Sequence, residues 1–290
     1  MRIFFAIVFV VAMSACKTPR PIDSKVKVIG GQELSEDQWP SVRRLEVLVK
    51  DSTGALELRS RCTMTFIKSD LALTAAHCVC KGDRYVYKDA ERWDDFNAIK
   101  VVSHPSYECS AQTPNAYDVA LIWFDKKVNM PTSPISAVNS AEDLTRLLIV
   151  GYGDNILKIT GSFWIANRKP ITENGRPSPR KGDREFNGKR SGEVTWQGDT
   201  PRDAGFIGIS AVYDVTAPID EEMTQGASAK GDSGGPAFYK ESKTIVGVIS
   251  RGLFHFTGIG SKKVEAITEL IDLRRSDIHE FLRSNGAIEE

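Results

Sequence analysis

A histidine, an aspartate and a serine stand, in that order, in three short segments of the chain. Leu73-Thr74-Ala75-Ala76-His77-Cys78 places the histidine at the end of an apolar run. Asn115-Ala116-Tyr117-Asp118-Val119-Ala120-Leu121-Ile122 places the acid at the head of another, and Gly231-Asp232-Ser233-Gly234-Gly235-Pro236 sets the serine in a glycine-dense turn. A serine hydroxyl is a weak nucleophile and needs an imidazole to take its proton. The imidazole in turn needs a buried carboxylate that fixes its tautomer and stabilises its charged form. Glycines beside the serine let backbone N–H groups converge on a developing oxyanion. Taken singly, each segment has a plainer reading. An Asp before an apolar strand is commonly a turn residue, and a His beside a Cys is commonly structural.

Together, the three segments resemble the TAAHC, DxAL and GDSGGP marks of the chymotrypsin/trypsin-like serine endopeptidases, in that family's own order. The resemblance implies two six-stranded antiparallel β-barrels with a C-terminal helix. It also implies His77 as general base, Asp118 as its orienting acid and Ser233 as nucleophile of an acyl-enzyme reaction. Backbone N–H groups of Gly231 and Ser233 would form the oxyanion hole. Ser250 fits the family serine that hydrogen-bonds the triad acid. His104-Pro105-Ser106-Tyr107 and Gly151-Tyr152-Gly153 also fall where the family has similar segments, so the likeness runs from about residue 28 to 285. A Gly-x-Ser-x-Gly turn also fits the nucleophile elbow of α/β-hydrolases, which expects its acid and its histidine after the serine. Only 57 residues follow Ser233, and the βα units that fold requires are missing around His255 and His279. A catalytically inactive homologue acting as a binding or adhesion module is the competing function, although all three triad positions are filled.

The same resemblance extends to activation. Val28-Ile29-Gly30-Gly31, followed by Trp39-Pro40-Ser41-Val42, is similar to the new N-terminus made when such a precursor is cut. Cleavage after Lys27 would free a Val28 amine to pair with Asp232, the acid preceding the nucleophile. Either partner buried alone is costly, so the uncut chain would be latent. Trypsin itself carries an Asp six residues before its nucleophile. Here that position is Ala227, followed by Ser228, and with Gly252 and Gly258 on the pocket walls it implies uncharged or apolar residues before the scissile bond. A cation would meet no countercharge there, so a separate activating protease is implied. Arg251 replaces a common aromatic, and the segment from Arg251 to Gly260 reads as an atypical loop.

The elements that must position these residues are strands. Apolar runs at 42–49, 62–67, 71–75, 98–102, 119–124, 147–150, 205–212, 235–238 and 245–250 have strand length and are separated by Gly, Pro, Asn and Asp. That spacing predicts an all-β barrel or sandwich. Helix is expected only near the C-terminus, over 264–273 and again from Ser276 as N-cap to just before Asn285-Gly286. Between Arg168 and Gly192 the chain carries a local charge of +5 with few aliphatics. That stretch reads as a solvated surface loop, with an anion-binding exosite as the alternative.

At its start the chain runs from Arg2 through an apolar stretch, Ile3 to Met13, to Ser14-Ala15-Cys16. This is the shape of a secretory signal over residues 1–15, too short to span a bilayer. Met13-Ser14-Ala15-Cys16 also resembles the lipobox of bacterial lipoproteins, in which Cys16 would be lipidated; ordinary cleavage after Ala15 is the alternative. Residues 16–27 then read as a tether or propeptide and 28–290 as the peptidase domain, exported to a cell envelope or secreted. Basic and acidic residues balance at 38 each, which argues against a nucleic-acid partner. Removing residues 1–27 leaves a net charge of −4. The implied partners are protein or peptide substrates. No cofactor is implied, and the four histidines lack metal-ligand spacing. With Cys16 set aside, Cys62 and Cys78 match the family disulfide that braces the histidine loop. Cys80 and Cys109 remain, as a second disulfide or as free thiols.

Overall fold

A computed structural model describes residues 31–89, 94–110, 115–137, 147–153, 156–159, 163–166, 169–170, 172–173, 176–177, 188–199, 206–214, 227–256 and 263–289. Its first half contains β1 (Gln32–Leu34), β2 (Val42–Lys50), β3 (Leu56–Lys68), β4 (Leu71–Thr74), α1 (Ala76–Val79), β5 (Arg84–Asp89), β6 (Asp94–Ser103) and β7 (Ala120–Phe124). Strands β2-β3-β4-β7-β6-β5 close into a six-stranded barrel. Closure leaves no free sheet edge around the ring. Its interior is filled by Leu45, Met64, Phe66, Leu73 and Leu121, all essentially solvent-free. Phe66 packs its ring against Phe124 at 5.5 Å and Tyr87 at 5.8 Å.

The second half contains β8 (Leu147–Gly151), β9 (Ile156–Ile159), β10 (Phe163–Ala166), β11 (Lys169–Pro170), β12 (Thr172–Glu173), β13 (Arg176–Pro177), β14 (Lys189–Asp199), β15 (Phe206–Asp214), β16 (Pro236–Tyr239), β17 (Ile245–Phe256), β18 (Lys263–Asp272) and α2 (Ser276–Ser284). One sheet runs β1-β14-β15-β18-β17-β16-β8, and β8 pairs again with β14. Six strands therefore form a second ring of antiparallel pairings, with β1 attached outside it. The expected all-β double-barrel architecture with a C-terminal helix is the architecture found.

Three expectations are corrected. Residues 264–273 are not helical: β18 is a central strand, paired with β15 on one edge and β17 on the other. Ile267, Thr268 and Ile271 are β-branched and suit a pleated surface. The segment from Arg251 is not a loop as far as Phe256, because β17 continues through it, with Arg251 opposite Glu269 and Phe256 opposite Val264. The basic stretch is not wholly solvated either. Lys189 and Arg190 at its end are buried in β14.

The N-cap of helix α2 lies one residue earlier than predicted, at Arg275, with Ser276 inside the helix. It buries Ile278, Phe281 and Leu282 against the first barrel's core. Its end is a Schellman turn. Gly286, at φ +68°, donates to Arg283 O, and Ala287 donates to Leu282 O. Two disulfides are present, Cys62–Cys78 and Cys80–Cys109.

Candidate active site

The site lies where the two barrels meet. The first barrel supplies His77 and Asp118, and the second supplies Ser233 and Ser250. Helix α1 starts directly after β4, so His77 sits at the barrel rim. Asp118 lies two residues before β7, whose first residue, Ala120, pairs with Thr74 at the end of β4. Its carboxylate is fully buried. Oδ1 accepts the His77 backbone N–H at 2.8 Å, while Oδ2 lies 2.7 Å from His77 Nδ1. Oδ2 also accepts the Ser250 hydroxyl at 2.6 Å. Three donors thus hold one buried acid, the usual condition for a buried charge to be tolerated. The imidazole remains part-exposed at 28%. Burial, reinforced by the Asp118 charge, pushes the nearby Tyr107 phenol far above its ordinary range.

Helix α2 braces the acid from outside. Arg275 donates to the Ala116 carbonyl at 2.7 Å, stacks its guanidinium 4.8 Å over Tyr117 and pairs with Asp277. Tyr117 in turn stacks on His104, whose other neighbour is Phe281.

Ser233 sits in a turn that only glycine can make. Gly231 and Gly234 have φ of +103° and +83°, the left-handed side of the map. A side chain at Gly234 would also collide with Thr74 Oγ1 and the Thr63 carbonyl. Gly234 N donates to Ile249 O at 2.7 Å and Gly235 N to Asp232 O at 2.8 Å. The Ser233 carbonyl accepts Thr63 N at 2.8 Å and lies 3.7 Å from Cys78 Sγ, which is itself 3.7 Å from His77 Nε2. The turn, the Cys62–Cys78 disulfide and the histidine are therefore one contiguous unit. Cys62, His77 and Cys78 bring potential ligand atoms within 4.8 Å of one another. With both sulfurs in a disulfide and the imidazole paired to Asp118, that donor set does not suit a metal ion.

Asp232 is buried beneath the turn. Its Oδ1 accepts Gly153 N at 2.6 Å and its Oδ2 accepts Ala229 N at 2.8 Å. A Cβ on either Gly151 or Gly153 would run into the Asp232 carboxylate. Tyr152, between them, reaches Glu36 Oε2 with its hydroxyl at 2.8 Å. Below it Lys189 donates to the carbonyls of Glu36, Gln38 and Trp39 at 2.9, 3.0 and 3.2 Å. Trp39 is held at φ +50° and stacks on Phe238.

Burial, reinforced by the Arg43 charge, lowers the Lys189 ammonium to about 8. Burial likewise lowers His104 and His279, each against a countering interaction that raises it. In all three the unfolded chain binds the proton more readily, so stability rises with pH across each window. The histidine contributions are complete above 6.5 and lost as the pH falls below it. The lysine contribution grows between about 8 and 10.5. Urea unfolding measured from pH 5 to pH 10 should show both limbs; flat stability across either window would remove the corresponding group from this picture.

Of the residues predicted for the pocket, Ala227, Ser228 and Ser250 are buried and Gly252 is exposed. Ser228 is tied through N and Oγ to Thr268 Oγ1, at 3.2 and 2.8 Å. Arg251 pairs with buried Glu269 and lies 4.6 Å over the Phe206 ring. Cys16, Lys27, Val28 and Gly258 lie outside the described residues. Thr63, Lys189 and Arg275 were not singled out from the sequence, and Gly153 stood there only as part of the family-like segment Gly151-Tyr152-Gly153.

A double β-barrel with a His–Asp pair from one barrel and a glycine-framed serine from the other defines the chymotrypsin-like class. Solved structures agree on the fold. HL collagenase superposes with a TM-score of 0.60 at 15% identity, covering 91% of this chain and all of that one. Neuropsin, a serine protease expressed in the limbic system of mouse brain, gives 0.54 at 17% identity, covering 88% of this chain and 98% of its own. The sequence profile of the trypsin family matches residues 28–173, just over half the chain, and the chain belongs to that family. Chymotrypsin-like elastase family member 1 of the dog (Canis lupus familiaris) is 28% identical over 116 residues, which are 37% of this chain and 43% of the elastase.

Proposed function

We propose that the chain is a serine endopeptidase in which His77, Asp118 and Ser233 cleave peptide bonds through an acyl-enzyme. The observation that carries this reading is the buried Asp118 carboxylate, which grips His77 Nδ1 and its backbone N–H while accepting the Ser250 hydroxyl. With the Nδ1 proton held there, Nε2 is the acceptor for the Ser233 proton. His77 then returns that proton to the leaving amine, and a water repeats the cycle to release the acid. Backbone N–H groups of Gly231 and Ser233 stabilise the oxyanion, each donor lowering the barrier by about 3 kcal/mol.

The precursor is exported through residues 1–15 and anchored by lipid at Cys16. A separate protease cuts after Lys27, which activates the enzyme and releases it. The basic residue before Val28-Ile29-Gly30-Gly31 supports that cut, and the buried Asp232 beneath the turn is the partner a Val28 amine would need. Ala227 at the pocket floor supports uncharged or apolar residues before the scissile bond. The test is hydrolysis of a peptide library by the chain beginning at Val28 and by the chain beginning upstream, each also as Ser233→Ala. Cleavage by the Val28 form alone, abolished in Ser233→Ala, is expected. Full activity upstream of Val28 would overturn the activation scheme, and strong Arg/Lys preference would overturn the pocket assignment. Absence of cleavage by every form favours a binding module.

A further inference from the structure

We infer that Thr63 is a positioning residue for the oxyanion donors, a role that rests on the peptidase reading above. Thr63 lies in β3 beside the Cys62–Cys78 disulfide, is fully buried, and has every polar group engaged with the site. Its hydroxyl donates to the Gly231 carbonyl at 2.9 Å and accepts Tyr152 N at 3.1 Å. Its backbone N–H donates to the Ser233 carbonyl at 2.8 Å. Its carbonyl accepts the Thr74 hydroxyl at 2.8 Å, three residues before His77.

Gly231 and Ser233 are the two residues whose N–H groups face the oxyanion in the proposed mechanism. Thr63 fastens the carbonyl of both. The bond to Ser233 O is made by the main chain and would survive any side chain at 63. The bond to Gly231 O is made by the hydroxyl alone. Gly231, at φ +103°, has no side chain to hold it; the peptide that follows it is held on its N–H edge by Asp232 N donating to Ala229 O at 3.0 Å and on its carbonyl edge by the Thr63 hydroxyl. The same hydroxyl ties the turn to Tyr152, next to the Gly153 N–H that holds Asp232. One oxygen therefore locks the nucleophile turn to the Asp232 cradle across the barrel interface. The methyl adds contact, since a Cβ on Gly235 would come within 3.2 Å of Thr63 Cγ2.

Thr63→Val keeps shape and backbone bonds and removes the hydroxyl; Thr63→Ser keeps the hydroxyl and removes the methyl. The chain beginning at Val28 is assayed, with rates expressed per site titrated by a fluorophosphonate, so that misfolded protein does not count. Thr63→Val should lower kcat about 10- to 100-fold with KM changed less than about twofold, and Thr63→Ser should recover to within about threefold. Equal kcat in Thr63→Val and the parent, or a Ser variant no better than Val, overturns the assignment. A variant that fails to fold is replaced by Thr63→Ala, with the same expectations. If the parent itself is neither labelled nor active, the peptidase reading fails. Thr63 is then judged by amide hydrogen exchange over residues 229–235. Faster exchange in Thr63→Val supports the pinning role and unchanged exchange overturns it.

Discussion

Asp118→Asn in the chain beginning at Val28 is expected to lower kcat about 10⁴-fold while leaving the fold intact. The cause is in the donors that converge on this side chain. Oδ1 accepts the His77 backbone N–H, and Oδ2 faces both His77 Nδ1 and the Ser250 hydroxyl. A carboxylate can accept all three; an amide offers one accepting oxygen and one donating nitrogen. If the amide keeps its oxygen toward the backbone, its NH₂ faces Nδ1 and forces the imidazole to carry its proton on Nε2. Nε2 then cannot take the Ser233 proton. If the amide turns over, the backbone bond that orients α1 is lost. Either arrangement is wrong for catalysis, and both fill the same volume. Steady-state kinetics beside near-ultraviolet circular dichroism separates the two effects. A kcat within tenfold of the parent would mean that Asp118 does not set the histidine tautomer.

Gly153→Ala is the second large expected effect, and here the fold itself must give. The added methyl would sit inside the Asp232 carboxylate, whose Oδ1 depends on the Gly153 N–H. Overpacking of this kind costs about 1–3 kcal/mol. The obstructing atoms are a buried carboxylate pinned from two sides, so relief requires breaking one of its bonds to Gly153 N or Ala229 N. Asp232 adjoins Ser233, and a shift of about 1 Å there is enough to cost roughly 100-fold in rate. Thermal unfolding and kcat measured on the same preparation should both fall. A Gly153→Ala protein with parental kcat would show that the turn and Asp232 are not coupled.

The candidate site was legible where chemistry is written locally. His77, Asp118 and Ser233 each stand in a distinctive segment, and Ser250 in the final apolar run meets Asp118. The all-β character followed from short apolar runs and turn residues, and the double barrel from the resemblance to the chymotrypsin/trypsin-like family. Strand β18 was not legible because its apolar residues, at 264, 266, 267, 270 and 271, satisfy a helical period as well as an extended one. Pairing on both edges decides the matter, and it comes from the preceding strand β17 and from β15, which lies further upstream. Lys189 misled for a related reason. Its charge argues for solvent until three carbonyls about 150 residues upstream are placed around its ammonium. Thr63 is silent in the sequence because a threonine in an apolar strand has no mark of its own. Its meaning comes only from Gly231, Ser233 and Tyr152, which the fold brings to it.

The most direct test of the account is the intact mass of the chain beginning at Val28 after reaction with a fluorophosphonate, followed by peptide mapping. One adduct per molecule is expected, located on Ser233, absent from Ser233→Ala and strongly slowed in His77→Ala. No adduct on a folded, processed chain, or an adduct that persists in Ser233→Ala, would contradict the assignment of Ser233 as the nucleophile.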